Sequence, residues 1–142
     1  MKEDFGGTSK RIAASNAITA LTKSLKQNVN IDARFSMVTF SGNKTTGMWG
    51  QGDTKTWDDA EVAVSWTTDA GTIERGSKPT SNGGTNYQAG IRTAKELLTS
   101  KRAGAMTAVI FISDGDPTFY YNPDGYTRGD GNNDGNGGAD NL

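Results

Sequence analysis

Residues 105–113 read AMTAVIFIS and run into Asp114-Gly115-Asp116-Pro117. The run is apolar without alternation, the pattern of a parallel strand buried on both faces. Working outward, residues 86–100 predict a helix. Ala89, Ala94, Leu97 and Leu98 form its apolar side, and Gly83-Gly84-Thr85-Asn86 supplies its opening turn and cap. Residues 31–40 predict a strand in which Ile31, Ala33, Phe35 and Met37 alternate with Asp32, Arg34 and Ser36. One wetter face suits a strand at a sheet edge, and Ser41-Gly42-Asn43 closes it. Residues 8–26 predict a first helix, capped by Thr8 or Ser9 and ended by Asn28 and Asn30. Its expected core stripe is Ile12, Ala13, Ala17, Ile18, Leu21 and Leu25, with Lys10, Arg11, Lys23 and Lys26 toward solvent. Between these elements, 57–68 has the makings of a short strand around Val62, Val64 and Trp66, and the rest of 44–85 reads as loop. Helix, strand, helix and buried strand in that order make an α/β chain, with 105–113 as the central parallel strand beside 31–40.

Composition narrows the chemistry. The 142 residues contain no Cys and no His, which removes zinc fingers, Cys or His nucleophiles, Ser-His-Asp triads and disulfide scaffolds. A metal would have to be a hard cation held by oxygen. The net charge of −1 is not that of a nucleic-acid binder. No apolar run reaches the length of a membrane span, and the first 25 residues lack the apolar stretch of an export signal. Hydrophobic residues make up only 33% while Gly occupies 19 positions, so loops take much of the chain. Trp49, Trp57 and Trp66 sit in its least regular part and are expected to cover a core edge.

Charge is unevenly spread. Residues 1–28 carry +3, and residues 114–142 carry one Arg against six Asp. The acidic end is also rich in Gly and Asn, so it cannot bury enough apolar surface to offset its ordering entropy. Residues 122–142 therefore read as a loop or disordered tail, following a domain over 1–121.

In open α/β sheets, ligands bind beyond the carboxyl ends of strands. Two segments are expected at that edge: Asp114, ending the most apolar run, and Ser81-Asn82-Gly83-Gly84-Thr85-Asn86, opening the second helix. A carboxylate and a hydroxyl meeting there form part of a Mg²⁺-type oxygen site. Equally, Thr85 and Asp114 can be a helix cap and a turn cap.

SNGGTNYQAGI followed by AVIFISDGDPT resembles the second and third metal-site segments of the von Willebrand factor type A family. The resemblance implies a Rossmann-like, mostly parallel sheet covered by helices, with a divalent cation at a metal-ion-dependent adhesion site. It matches Thr85 and Asp114 to two of that site's ligands and implies that their side chains lie side by side. The continuation DGDPTFYYNPDGYT is similar to versions on Gram-positive surface proteins and pilus-tip adhesins. On that basis the chain is expected to be a non-enzymatic, extracellular, cell-surface adhesion module, binding a protein ligand whose carboxylate completes the metal's coordination. The family's first segment, Asp-x-Ser-x-Ser, is absent from the 142 residues. Met1-Lys2-Glu3-Asp4 and the helix after it look like its continuation, so a truncated domain lacking the first strand and the C-terminal part is expected. With two ligands left, Mg²⁺ or another divalent cation should bind weakly or not at all.

Three other motifs compete. Asp114-x-Asp116-x-Thr118 matches the nucleophile motif of haloacid-dehalogenase-like, Mg²⁺-dependent phosphatases, the alternative function. That family usually places the motif near the N-terminus, whereas only 24 residues follow Thr118 and none is Lys. Asp130, Asn132 and Asp134 with Gly135 match the opening of an EF-hand Ca²⁺ loop. Asn141 stands where the bidentate Glu belongs, which leaves at most a weak Ca²⁺ loop. Arg128-Gly129-Asp130 spells the integrin-recognised tripeptide, a sequence that arises easily in a Gly/Asp-rich tail.

Overall fold

The computed structural model describes residues 4–5, 8–42, 59–77, 84–113, 115–121 and 127–128. They form a mixed α/β chain of three helices and short paired strands. β1 (Asp4–Phe5) and β2 (Thr8–Ser9) pair antiparallel, with Asp4 opposite Ser9. α1 (Lys10–Gln27) follows at once. β3 (Phe35–Phe40) pairs with β4 (Ala60–Thr67). Ser41 N–H donates to the Asp59 carbonyl at 2.7 Å and Thr39 Oγ1 to Glu61 Oε1 at 3.4 Å. Partner numbers fall as β3 rises, so this ladder is antiparallel. α2 (Ala70–Gly76), α3 (Tyr87–Leu98), β5 (Tyr120–Tyr121) and β6 (Thr127–Arg128) complete the order, with β5 and β6 antiparallel. Among the described residues no helix is long and apolar enough to cross a membrane.

The helix ends follow local chemistry. Ser9 Oγ accepts from Ile12 N–H at 3.4 Å to start α1. Asn28 ends it, its side chain accepting from Asn30 N–H at 3.0 Å. α2 falls in the stretch expected to be loop. Asp69 caps it, accepting from Gly71 N–H at 2.8 Å, Thr72 N–H at 3.2 Å and the Thr72 hydroxyl at 2.7 Å. The Thr72 hydroxyl first, and then the Gly71 amide, hold the Asp69 carboxyl below its ordinary 3.8. Depression of this kind favours the folded state above the unfolded value and is lost as pH falls through the lower, folded one. The Gly71 and Thr72 amide shifts should therefore titrate together, with a midpoint below 3.8. A midpoint at or above that value would show that the cap does not hold the carboxylate.

The chain divides into two compact units, one built on 1–37, 62–81 and 101–114, the other on 38–61, 82–100 and 115–142. In the first, α1 packs on α2, and the expected stripe is covered only in part, with Ala13, Ile18 and Leu25 half-buried. The buried α1 residues are Ser15 and Thr22, while Ile12 and Leu21 are 47% and 40% exposed. Ser15 Oγ meets Ser77 Oγ at 2.6 Å, and Lys23 Nζ lies 3.2 Å from Glu74 Oε2. Small hydroxyl side chains allow close approach here, and their bonds to each other and to backbone offset the cost of burying them. Thr22 donates to the Ile18 carbonyl. Among the described residues Val64 and Ile73 are the buried apolar residues of this unit, and Ala89 and Phe119 those of the second.

No strand is shown at 105–113. Among the described residues no strand pairs with it, no parallel pairing occurs anywhere, and Met106, Val109 and Ile110 stand exposed. A strand exists only where a neighbour takes its ladder of hydrogen bonds, and apolar composition alone cannot supply that neighbour. Trp66 is half-buried on β4, and Trp49 and Trp57 lie outside the described residues.

Candidate functional site

The second unit is bonded together around the start of α3. Gly42 and Gly84 form an antiparallel bridge, Gly42 N–H to the Gly84 carbonyl at 2.6 Å and the return bond at 2.9 Å. Phe119, 2% exposed, lays its ring across this bridge. A Cβ at Gly42 would stand 2.1 Å from the ring and one at Gly84 2.4 Å, so glycine is required for the close approach.

Thr85 is held next to that bridge from both sides. Its N–H donates to Thr118 Oγ1 at 2.9 Å, and its carbonyl accepts from the N–H groups of Thr118 and Phe119, each at 2.9 Å. Every backbone polar group of Thr85 is thus occupied, while no described residue takes its hydroxyl. Two further ties bind the same segment to the first turn of α3. The Tyr87 hydroxyl donates to the Gly115 carbonyl, and Tyr121 N–H donates to Gln88 Oε1 at 2.7 Å.

Asn86, fully buried, caps α3 by accepting from Ala89 N–H at 3.1 Å, as its place before the helix predicts. Its other side-chain atom, Nδ2, donates to the buried Asp59 carboxylate at 2.9 Å. Tyr87 then packs edge-on against Phe40, ring centres 6.0 Å apart. The result is a helix start whose backbone is immobilised by residues up to 33 positions away.

Thr85 therefore sits on a rigid mount. Asp114, its expected partner, lies outside the described residues, as do Asp130, Asn132 and Asp134 of the candidate Ca²⁺ loop. Arg128 is in β6, and the Gly129 and Asp130 that follow it lie outside too. Asp116 is exposed, and Thr118 spends its hydroxyl on the Thr85 amide. Among the described residues no three acidic side chains gather. Asp59 and Phe119 are participants that sequence reading missed, and Thr118, read there only as part of the phosphatase motif, holds the Thr85 amide. Phe119 carried one legible signal, a large apolar residue directly after a turn.

No family model matches the chain, and no curated protein matches it.

Proposed function

We propose that the chain is a metal-ion-dependent protein-binding module of von Willebrand factor A type, part of a Rossmann-like domain on a cell-surface adhesin. The observation that carries this reading is Thr85: a hydroxyl that no described residue takes, on a backbone bonded from both sides. Such a hydroxyl is a preorganised oxygen donor. With the Asp114 carboxylate it supplies hard oxygen ligands, which suit Mg²⁺ or Mn²⁺ and exclude softer metals. A cation so held offers an open position to the carboxylate of a protein ligand. This chain's residues hold the donor in place: Thr118 and Phe119 fix the Thr85 peptide, and Asn86 fixes the helix behind it.

Two donors are few for an ion that gives up its water reluctantly. The expected result is weak binding, read as selective paramagnetic broadening of the Thr85 signals at millimolar Mn²⁺. Thr85→Ala should lower the affinity, and Asp114→Ala should abolish the broadening. Broadening confined to residues 130–134 would place the cation elsewhere and overturn the reading. So would hydrolysis of p-nitrophenyl phosphate lost in Asp114→Ala, which would favour the phosphatase.

A further inference from the structure

α1 ends at Gln27, and residues 28–31 close a turn directly after it. Ile31 N–H donates to the Asn28 carbonyl at 3.0 Å, and Asn30 N–H to Asn28 Oδ1 at 3.0 Å. These bonds fix the backbone of a turn whose tip is apolar. Val29 is 96% exposed and Ile31 41%, at positions where turns ordinarily carry polar side chains. Basic residues surround the tip. Lys26 stands three residues before Val29 and Arg34 five after it, both exposed. Arg102 comes from 70 residues away: it bonds to the Asp32 carboxylate, and its Nη2 donates to the Asp32 carbonyl at 3.1 Å. Lys101 Nζ donates to the Ala105 carbonyl at 3.1 Å, a neutral acceptor that leaves its charge uncancelled. The bond to Arg102 and its charge, then the charges of Arg34 and Lys26, hold the Asp32 carboxyl below its ordinary value. Several cations thus converge on one carboxylate. Among the described residues no carboxylate lies within ion-pair distance of Lys26, Arg34 or Lys101, so positive charge is in excess here.

A surface apolar at its tip and cationic around it fits one kind of partner. An acidic polypeptide would neutralise the cations and leave Val29 in water. The boundary of an anionic bilayer takes both. Apolar side chains enter its acyl edge, while Lys and Arg keep their charges at the phosphate level on flexible stems. We propose that the turn 28–31, flanked by Lys26, Arg34, Lys101 and Arg102, docks on an anionic lipid surface. Val29 and Ile31 enter the headgroup region, and the cations meet the lipid phosphates and carboxylates. With two apolar anchors and a small excess of charge, the attachment is weak and reversible, and salt screens it. All of these residues belong to the first compact unit, and the inference is independent of Thr85 and of the metal reading.

The test is binding of the full chain to vesicles at millimolar lipid and low salt. The chain should sediment with phosphatidylcholine vesicles containing about one-third phosphatidylserine, and not with phosphatidylcholine alone. Each cation near such a surface strengthens binding about fivefold, so Lys26→Gln combined with Arg34→Gln should weaken it roughly twenty- to thirtyfold. Both positions are exposed, and the far-ultraviolet circular dichroism should not change. The absence of Cys from the chain makes the tip directly observable. An environment-sensitive fluorophore on Val29→Cys should shift to the blue on the anionic vesicles and be quenched by spin-labelled acyl chains. The proposal is overturned by a chain that stays in the supernatant, that binds neutral vesicles equally, or that binds with the label at position 29 still in water. Unchanged binding by the doubly substituted protein overturns it too. So does a chain that binds heparin or polyglutamate but no vesicle, which would make the ligand an acidic polymer.

Discussion

Phe119→Ala is expected to destabilise the chain by about 3–5 kcal/mol, the range for removing a fully buried phenylalanine. The ring is 2% exposed and is the only large apolar side chain among the buried described residues of its unit. Its loss empties the space above the Gly42–Gly84 bridge, beside the amides of Thr118 and Phe119 that donate to the Thr85 carbonyl. The companion experiment is Gly42→Ala, whose new Cβ meets the same ring at 2.1 Å. Overpacking of that kind costs about 1–3 kcal/mol. The two changes share one cause, so they should not add. In the Phe119→Ala background Gly42→Ala should cost little, because the nearest atoms it strikes are gone. Urea denaturation of the four proteins measures the coupling. Strict additivity would show that the ring does not rest on the bridge.

Asn86→Ala should cost roughly 2–4 kcal/mol, because one side chain does two things. Its oxygen caps α3, and replacing such a cap by alanine costs about 0.5–2 kcal/mol. Its amide donates to a buried carboxylate, and removing a donor from a buried charged group costs about 1–3 kcal/mol. Asn86→Ser separates these effects: serine can still cap the Ala89 amide but cannot donate to Asp59 in the same geometry. Its cost should fall between wild type and Asn86→Ala. An Asn86→Ser variant as unstable as Asn86→Ala would mean that the cap contributes nothing. In either variant α3 should fray from its first turn, seen as faster amide exchange at Ala89 and Gly90.

Helix starts and stops were legible in the sequence because they are settled within three or four residues. Ser9, Asn28 and Asn86 reach amides on their own turn or the next. β4 was legible as far as the alternation around Val62, Val64 and Trp66, which the strand Ala60–Thr67 encloses. α2 was not, since seven residues containing two glycines give no periodicity and only Asp69 announces them. For α1 the apolar stripe was right only in part, Ala13, Ile18 and Leu25 being half-buried and Ile12, Ala17 and Leu21 exposed. Hydrophobicity says which face could be buried, but the partner decides which face is, and α2 met the face carrying Ser15 and Thr22.

The sequence by itself determined where α1 and α3 begin and end, that any metal ligand is oxygen, and that Thr85 opens α3. Each of these depends on residue type or on neighbours within a turn. Only the tertiary structure decided that Thr118 and Phe119 clamp Thr85 and that Asp59 receives Asn86. Only it decided, too, that the most apolar run meets no paired strand among the described residues. The physical reason is common to all three. A local cap closes a loop of a few atoms, whereas contacts across 27 or 33 residues depend on chain closure and on which neighbour is within reach. No pattern of side chains along the run itself contains that information.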